Sequence, residues 1–102
     1  MTCIDKAIEI EPRRASYWYN RGICQYRSGN PGEAVRSLDR AIELYPKYAE
    51  AWFNKAAALE SLGEEKAAVE AWRRYLKVAA NLRGQKDWIS RAIDRLAALE
   101  RK

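Results

Sequence analysis

The sequence has no histidine and only two cysteines, Cys3 and Cys24. Without an imidazole, Ser-His-Asp triads and histidine-based acid-base catalysis are excluded. Two thiols alone do not complete a zinc site, and they are too few for a disulfide-rich scaffold. We therefore predict that the protein binds no metal and no cofactor, and that Cys24 packs as a small apolar residue.

Long apolar runs are also missing, because no stretch approaches the roughly 20 residues of a membrane-spanning helix. The first residues, which include Asp5 and Glu9, lack the basic-then-apolar order of a signal peptide. The five glycines do not cluster into a phosphate-binding loop. The acidic pair Glu64 and Glu65 is explained by the positive end of a helix dipole. These absences predict a cytoplasmic protein that has no membrane contact and is not an enzyme.

The composition, 48% hydrophobic and 32% charged, is that of an ordinary globular protein. The length of 102 residues is that of one domain. Four tryptophans and six tyrosines supply large side chains for a small core. The net charge of +5 is spread along the chain with a mild bias to its C-terminal end. Nucleic acid therefore ranks last among the partners considered.

The strongest feature of the sequence is an internal repeat with a period of 34 residues. Four residues recur one period later: Trp18 as Trp52, Asn20 as Asn54, Gly29 as Gly63 and Ala34 as Ala68. A period of this length indicates a solenoid, in which each unit buries its apolar face against a copy of itself.

Each repeat has the pattern of two helices joined by a short turn. Apolar and aromatic residues at helical spacing predict a first helix from Ala15 to Ser28, which Gly29 ends in a left-handed conformation. Asn30 is predicted as the N-cap of the second helix and Pro31 as its first residue, and Pro46 ends that helix. Helices joined so closely must pack as antiparallel neighbours.

The repeat resembles the tetratricopeptide repeat. The residues that carry the resemblance are Trp18, Gly22, Gly29, Ala34, Ala41 and Pro46 in the first copy, and Trp52, Ala56, Gly63, Ala68, Tyr75 and Ala80 in the second. The second copy departs from the family pattern at Tyr75, where a small residue is usual, and at Ala80, where proline is usual. The resemblance implies an all-α solenoid of antiparallel helix hairpins wound into a right-handed superhelix.

We predict one domain with four parts: a half repeat over residues 1–14, repeats over 15–48 and 49–82, and a capping helix over 83–102. The half repeat indicates a fragment of a longer array or a degenerate end. Small residues are expected where helix backbones cross, with tryptophans in the wider spaces. The predicted repeat core is Trp18, Gly22, Ala34, Ala41, Trp52, Ala56, Ala68 and Trp72. On the capping helix, Arg91, Asp94, Arg95 and Glu100 are expected to face outward.

In the family that the sequence resembles, the first helices line a concave groove that binds a peptide or a partner protein. Carried over by position, the groove residues are Tyr19, Asn20, Ile23, Tyr26, Arg27, Glu50, Phe53, Asn54, Ala57 and Glu60, with Ser16 and Ser61 on the same face. Asn20 and Asn54 either hold a peptide backbone through their amides or bridge to a neighbouring helix. Tyr19 and Phe53 are either apolar anchors or packing residues. The resemblance thus implies a non-catalytic protein-interaction scaffold.

Some members of the family hold the C-terminal carboxylate of chaperones in a clamp of lysine, asparagine and arginine. Only Asn54 fits that clamp here. Tyr19 and Ile23 stand where the clamp has lysine and asparagine, and Gly84 and Trp88 stand where it has a basic pair. The sequence therefore does not predict chaperone-tail binding.

The alternative function is self-assembly into a homo-oligomer. Ile4, Ala7 and Ile8 form an apolar strip on the half repeat, which a first helix would normally cover. An uncovered strip of this kind favours contact with a second copy of the chain.

Overall fold

The computed structural model describes residues 14–80, 82 and 84–101. They form five helices: α1 (Ala15–Arg27), α2 (Pro31–Leu44), α3 (Ala49–Ser61), α4 (Glu65–Ala79) and α5 (Lys86–Glu100). No strand occurs in this part of the chain, so the predicted all-α class is confirmed. The half repeat predicted over residues 1–14, with its apolar strip, lies outside the described residues except for Arg14.

Glycine ends the first helix of each hairpin, as predicted. Gly29 and Gly63 have φ angles of 85° and 77°, a left-handed conformation that costs glycine little. Each of α1 to α4 packs against the next helix in the chain, and α1 also contacts α3. Asn30 does occupy the N-cap position of α2, but its side chain makes no capping hydrogen bond. The hairpins therefore stack with α1 and α3 side by side.

The small residues of the predicted repeat core lie in the interior. Gly22, Ala34, Ala41, Ala56, Ala68 and Trp72 are buried, whereas Trp18 and Trp52 are half-buried and pack at the edges of the core. The Trp52 indole Nε1 donates a hydrogen bond to the carbonyl oxygen of Pro46, 3.0 Å away. This bond fixes the connection between α2 and α3 against the second hairpin.

Tyr75, which departs from the family pattern, is fully buried. Its hydroxyl donates a hydrogen bond of 2.8 Å to the side-chain oxygen of Gln85, the residue that precedes α5. Burial raises the pKa of Tyr75 to about 12, so the phenol keeps its proton and this bond at neutral pH. The large side chain thus joins the second repeat to the last helix.

Cys24 on α1 is half-buried and takes part in a disulfide bond. The prediction that it packs as a small apolar residue is therefore wrong. The pattern of residues around position 24 showed its helical register but carried no information about a covalent partner.

Gly22 lies where α1 approaches α2 most closely. A methyl group added there would lie 2.8 Å from Cγ of Leu38 and 3.3 Å from the carbonyl oxygen of Ala34. Leu38 is fully buried and has no room to withdraw. Overpacking of this kind costs about 1–3 kcal/mol, against about 1 kcal/mol gained in helix propensity. We expect Gly22→Ala to lower the free energy of unfolding by about 1 kcal/mol.

Gly32 provides the matched control, because an added methyl group there would meet no atom within 4 Å. We expect Gly32→Ala to raise the free energy of unfolding by about 0.5–1 kcal/mol. Urea denaturation followed by circular dichroism measures both variants. Equal stabilisation by the two substitutions would show that α1 and α2 do not meet at Gly22.

Candidate functional site

Two hydrogen bonds join α1 to α3 along their shared face. The Asn54 Nδ2 donates to the Tyr19 hydroxyl at 3.2 Å, and the Tyr26 hydroxyl lies 3.2 Å from the Ser61 Oγ. In both pairs the partners stand 35 positions apart, one residue more than the period. The face predicted from the repeat is therefore a continuous surface across two hairpins.

The Asn54 side chain is half-buried, and both of its amide hydrogens have partners. Besides the Tyr19 hydroxyl, Nδ2 donates to the backbone carbonyl of Glu50 at 2.9 Å. Asn54 therefore bridges to a neighbouring helix, which was one of the two roles that the sequence left open. The bridge uses only the donor end of the amide, and the acceptor Oδ1 takes no part in it. Asn20 is exposed on α1.

Tyr19 is held in place by its neighbours. Its ring stacks on that of Tyr48 with 4.9 Å between the centroids. Burial raises the pKa of Tyr19, and burial together with the Tyr19 and Glu50 charges raises the pKa of Tyr48 to about 12. Both phenols therefore stay neutral near pH 7, and Tyr19 presents a fixed, uncharged ring to this face.

Phe53 is half-buried among three other aromatic side chains. Its ring centroid lies 4.8 Å from that of Trp72, 5.3 Å from that of Tyr75 and 4.7 Å from that of Trp88, each in an edge-to-face arrangement. Such pairs contribute about 0.5–1.5 kcal/mol each beyond the burial of their area. Phe53 thus joins α3 to both α4 and α5.

A groove of about 610 Å³ opens between α1, α3 and α5. The side chains that line it are Tyr26, Phe53, Ala57, Glu60, Ser61, Trp72, Arg91, Asp94 and Arg95. Among the predicted groove residues, the structure brings together Tyr26, Phe53, Ala57 and Glu60. The others, Tyr19, Asn20, Ile23, Arg27, Glu50 and Asn54, lie on α1 and α3 outside this lining.

Glu60 is the centre of the groove's polar contacts. Its Oε2 accepts a hydrogen bond of 2.8 Å from the Trp72 Nε1, and both of its oxygens accept hydrogen bonds from the Arg95 guanidinium. The hydrogen bond and the charge of Glu60 raise the pKa of Arg95. The bidentate pair thus fixes α5 to α3.

Arg95 also corrects the sequence analysis, which placed it on the outer side of the last helix with Arg91 and Asp94. All three side chains line the groove. Arg95 stands 35 positions after Glu60, the same separation that joins Tyr19 to Asn54 and Tyr26 to Ser61. The last helix thus lies beside α3 as α3 lies beside α1. That recurring separation of 35 residues is the feature of the sequence that would have identified Arg95 as a groove residue.

Neither a cluster of metal ligands nor a membrane-spanning helix is found in the described part of the chain. Within residues 14–80, 82 and 84–101, no group of three or more cysteine, aspartate or glutamate side chains is placed to hold a metal ion. None of the five described helices is long and apolar enough to span a lipid bilayer. The groups that line the groove are aromatic rings, the methyl group of Ala57, the hydroxyls of Tyr26 and Ser61 and a mixed set of charges.

Two models of the tetratricopeptide repeat match the sequence, one over residues 15–48 and the other over residues 37–70. No curated protein sequence matches the chain. The fold is similar to that of several solved structures. One is the type III secretion translocator chaperone SycD of Yersinia enterocolitica, with a TM-score of 0.91, 19% identity, and coverage of 94% of this chain and 66% of SycD.

Two further solved structures have the same fold. The first tetratricopeptide repeat domain of Spaghetti (RPAP3), bound to the HSP90 peptide SRMEEVD, has a TM-score of 0.82 and 20% identity, covering 95% of this chain and 71% of that one. The TPR2B domain of yeast Sti1, in its pHsp70 complex, has a TM-score of 0.79 and 25% identity, covering 90% and 72%. This chain therefore spans about two thirds to three quarters of each of these three structures.

Proposed function

The chain belongs to the tetratricopeptide repeat family, and from that premise we propose that it is a non-catalytic protein-interaction scaffold. Its ligand is an extended peptide or a segment of a partner protein, bound on the face of α1 and α3 and in the groove that α5 closes. The observation that carries the proposal is the groove itself, which is lined by side chains from four helices, α1, α3, α4 and α5, and held by internal bonds. A preformed site of this kind spares most of the ordering cost of binding.

The structures of similar fold support the same function. Spaghetti and yeast Sti1 were solved with chaperone peptides, and SycD was solved with a peptide of the translocator YopD. A shared groove does not imply a shared ligand, because specificity depends on the side chains that line it. Clamp positions here hold Tyr19, Ile23, Gly84 and Trp88, so we do not propose that this protein binds chaperone tails.

We propose that the peptide is anchored by its apolar side chains on Tyr19, Ile23 and the part of Phe53 that lines the groove. The Asn20 amide holds its backbone, and the Asn54 Oδ1 accepts a backbone N–H while its Nδ2 stays bonded within the protein. In this arrangement the bridge made by Asn54 fixes the amide in the orientation that binding requires. Bridging and peptide binding are thus compatible roles.

The experiment starts from peptides selected on the wild-type domain from a phage-displayed random library. Isothermal titration calorimetry then compares a selected peptide with the wild type and with Asn54→Ala. Loss of one hydrogen bond is worth about 0.5–1.5 kcal/mol, so we expect the dissociation constant to rise about three- to tenfold. An unchanged dissociation constant would refute this mechanism.

Two control variants separate binding from folding. Asn30→Ala removes the same side chain from an exposed position where it makes no capping bond, and we expect it to leave the affinity unchanged. Tyr19→Phe removes the bond to Asn54 but keeps the ring, the amide and the Nδ2 bond to the Glu50 carbonyl that still orients the amide, so the affinity should change by about twofold at most. A loss with Tyr19→Phe as large as that with Asn54→Ala would mean that Asn54 acts only through the packing of α1 on α3.

A further inference from the structure

A second concave surface, which we call the Trp52 pocket, shares no lining residue with the groove. It has a volume of about 490 Å³ and lies where the ends of α2 and α4 meet the start of α3. Its lining consists of Tyr45, Pro46, Lys47, Trp52, Arg74, Lys77, Val78 and Leu82. Neither the repeat pattern nor the proposed groove assigns it a role.

The walls of the Trp52 pocket are fixed by internal contacts. The bond from the Trp52 Nε1 to the Pro46 carbonyl holds one wall, and the Arg74 guanidinium lies 5.6 Å from the Trp52 ring centroid and holds the opposite one. The Tyr45 ring lies against that of Tyr48, with 5.8 Å between their centroids. A ligand would therefore enter a pocket that already has its shape.

The charged side chains that line the Trp52 pocket are all cationic. Lys47, Arg74 and Lys77 contribute three cations, and no carboxylate belongs to the lining. Among the described ion pairs, none involves these three side chains, whereas the nearby Lys55 and Arg73 pair with Asp39 and Glu100. Arg74 and Lys77 also line a neighbouring cavity that includes Asp39 and Glu70, but neither is in a described ion pair with them, and three cations in one lining attract an anionic ligand.

The same pocket has an unusual amount of exposed apolar surface. Four large apolar residues are exposed in the described part of the chain, and two of them, Tyr45 at 53% and Leu82 at 44%, line this pocket. Val78 and Pro46 add further aliphatic surface. Exposed apolar residues gathered in a concavity and rimmed by charge indicate a docking site.

We propose that the Trp52 pocket binds an acidic peptide segment that carries a large aliphatic side chain. Carboxylates of the segment contact Lys47, Arg74 and Lys77, and the aliphatic side chain lies between Tyr45, Val78 and Leu82. The aliphatic side chains of Pro46, Val78 and Leu82 favour a peptide over a nucleic acid, which would need open faces on both rings of the lining, Tyr45 and Trp52, to stack successive bases. The Trp52 ring does not provide one, because Lys55 and Arg74 both lie within 6 Å of its centroid.

The test uses fluorescence anisotropy with three labelled probes: the peptide DELLED, the peptide DESSED, which has the same charge without leucine, and a single-stranded oligothymidylate. We expect saturable binding of DELLED and at least about tenfold weaker binding of DESSED, since the burial of one leucine side chain contributes about that factor or more. Lys47→Glu/Lys77→Glu should weaken DELLED binding by about tenfold or more. Circular dichroism confirms that the variant is folded.

A control variant has the same net charge as Lys47→Glu/Lys77→Glu but changes lysines outside the Trp52 pocket. Lys66→Glu/Lys86→Glu makes two identical reversals in the first turns of α4 and α5, where both lysines are exposed and glutamate suits the helix dipole. We expect it to bind DELLED within about twofold of the wild type. Equal loss in both double variants, equal binding of DELLED and DESSED, tighter binding of the oligothymidylate, or no binding of DELLED would each overturn the proposal. Asn54→Ala should leave DELLED binding unchanged, so this proposal and that of the groove can fail separately.

Discussion

Trp72→Ala is expected to lower the free energy of unfolding by about 3–5 kcal/mol. Trp72 is 1% exposed and is among the largest fully buried side chains of the described residues. Its removal leaves a cavity beside Phe53, whose ring it meets at 4.8 Å between centroids, and takes away the donor that contacts Glu60. A small domain has about 5–15 kcal/mol of stability in total, so this loss affects the whole fold.

Guanidinium denaturation followed by far-ultraviolet circular dichroism measures the effect of Trp72→Ala without depending on tryptophan fluorescence. Trp18→Ala is the matched control, because Trp18 is only half-buried, and we expect it to cost clearly less. Trp72→Phe should fall between the two, since it keeps an aromatic ring against Phe53 but loses the Nε1 donor. A cost for Trp72→Ala below that for Trp18→Ala would contradict the packing described here.

Glu60→Ala is expected to cost about 1–3 kcal/mol and to loosen α5. Most of this cost comes from the buried Nε1 of Trp72, which would lose its hydrogen-bond acceptor. Arg95 contributes little, because its side chain is 54% exposed and its guanidinium can be hydrated instead. Amide hydrogen exchange along α5 should accelerate relative to that along α2, which Glu60 does not contact. This difference distinguishes loss of the α3–α5 connection from a general loss of stability.

The variant Glu60→Gln separates the two contacts of Glu60. Glutamine keeps an acceptor for Trp72 but removes the charge that pairs with Arg95, so we expect a smaller loss than with alanine. Arg95→Ala provides the other single variant of a double-mutant cycle, which measures the pair directly. Strictly additive losses in Glu60→Ala/Arg95→Ala would show that the two side chains do not interact.

The fold followed from the sequence because its determinants are local and repeated. Gly29 and Gly63 end helices through their own backbone freedom, and Ala34 and Ala68 allow close helix crossings through their small size. The glycine and the alanine each recur one 34-residue period later, and such a recurrence is stronger evidence for a structural role than a single occurrence. The family resemblance then supplied the stacking of the hairpins, which local pattern alone does not determine.

The candidate site was less accessible to sequence reasoning because it depends on pairs of side chains from different helices. The pattern placed Asn54 on the correct face but did not show that its donor end bonds to Tyr19. Amphipathic spacing predicted that Arg95 faces outward, because the spacing of apolar residues on one helix gives no information about an ion pair with Glu60, 35 positions earlier. Tyr75 looked like a loss of the family pattern and is instead a fully buried connection to Gln85.

The central claim is that a peptide binds in the groove between α1, α3 and α5, and amide chemical-shift mapping tests it most directly. A ¹⁵N-labelled domain is titrated with a peptide selected on the wild type, and the shifted amides are located on the structure. The account predicts that the largest changes concentrate on the α1–α3 face, at positions such as Ile23, and in the groove, at positions such as Ala57 and Arg91. Changes concentrated instead on α2 and the outer side of α4, with those three amides unmoved, would contradict it.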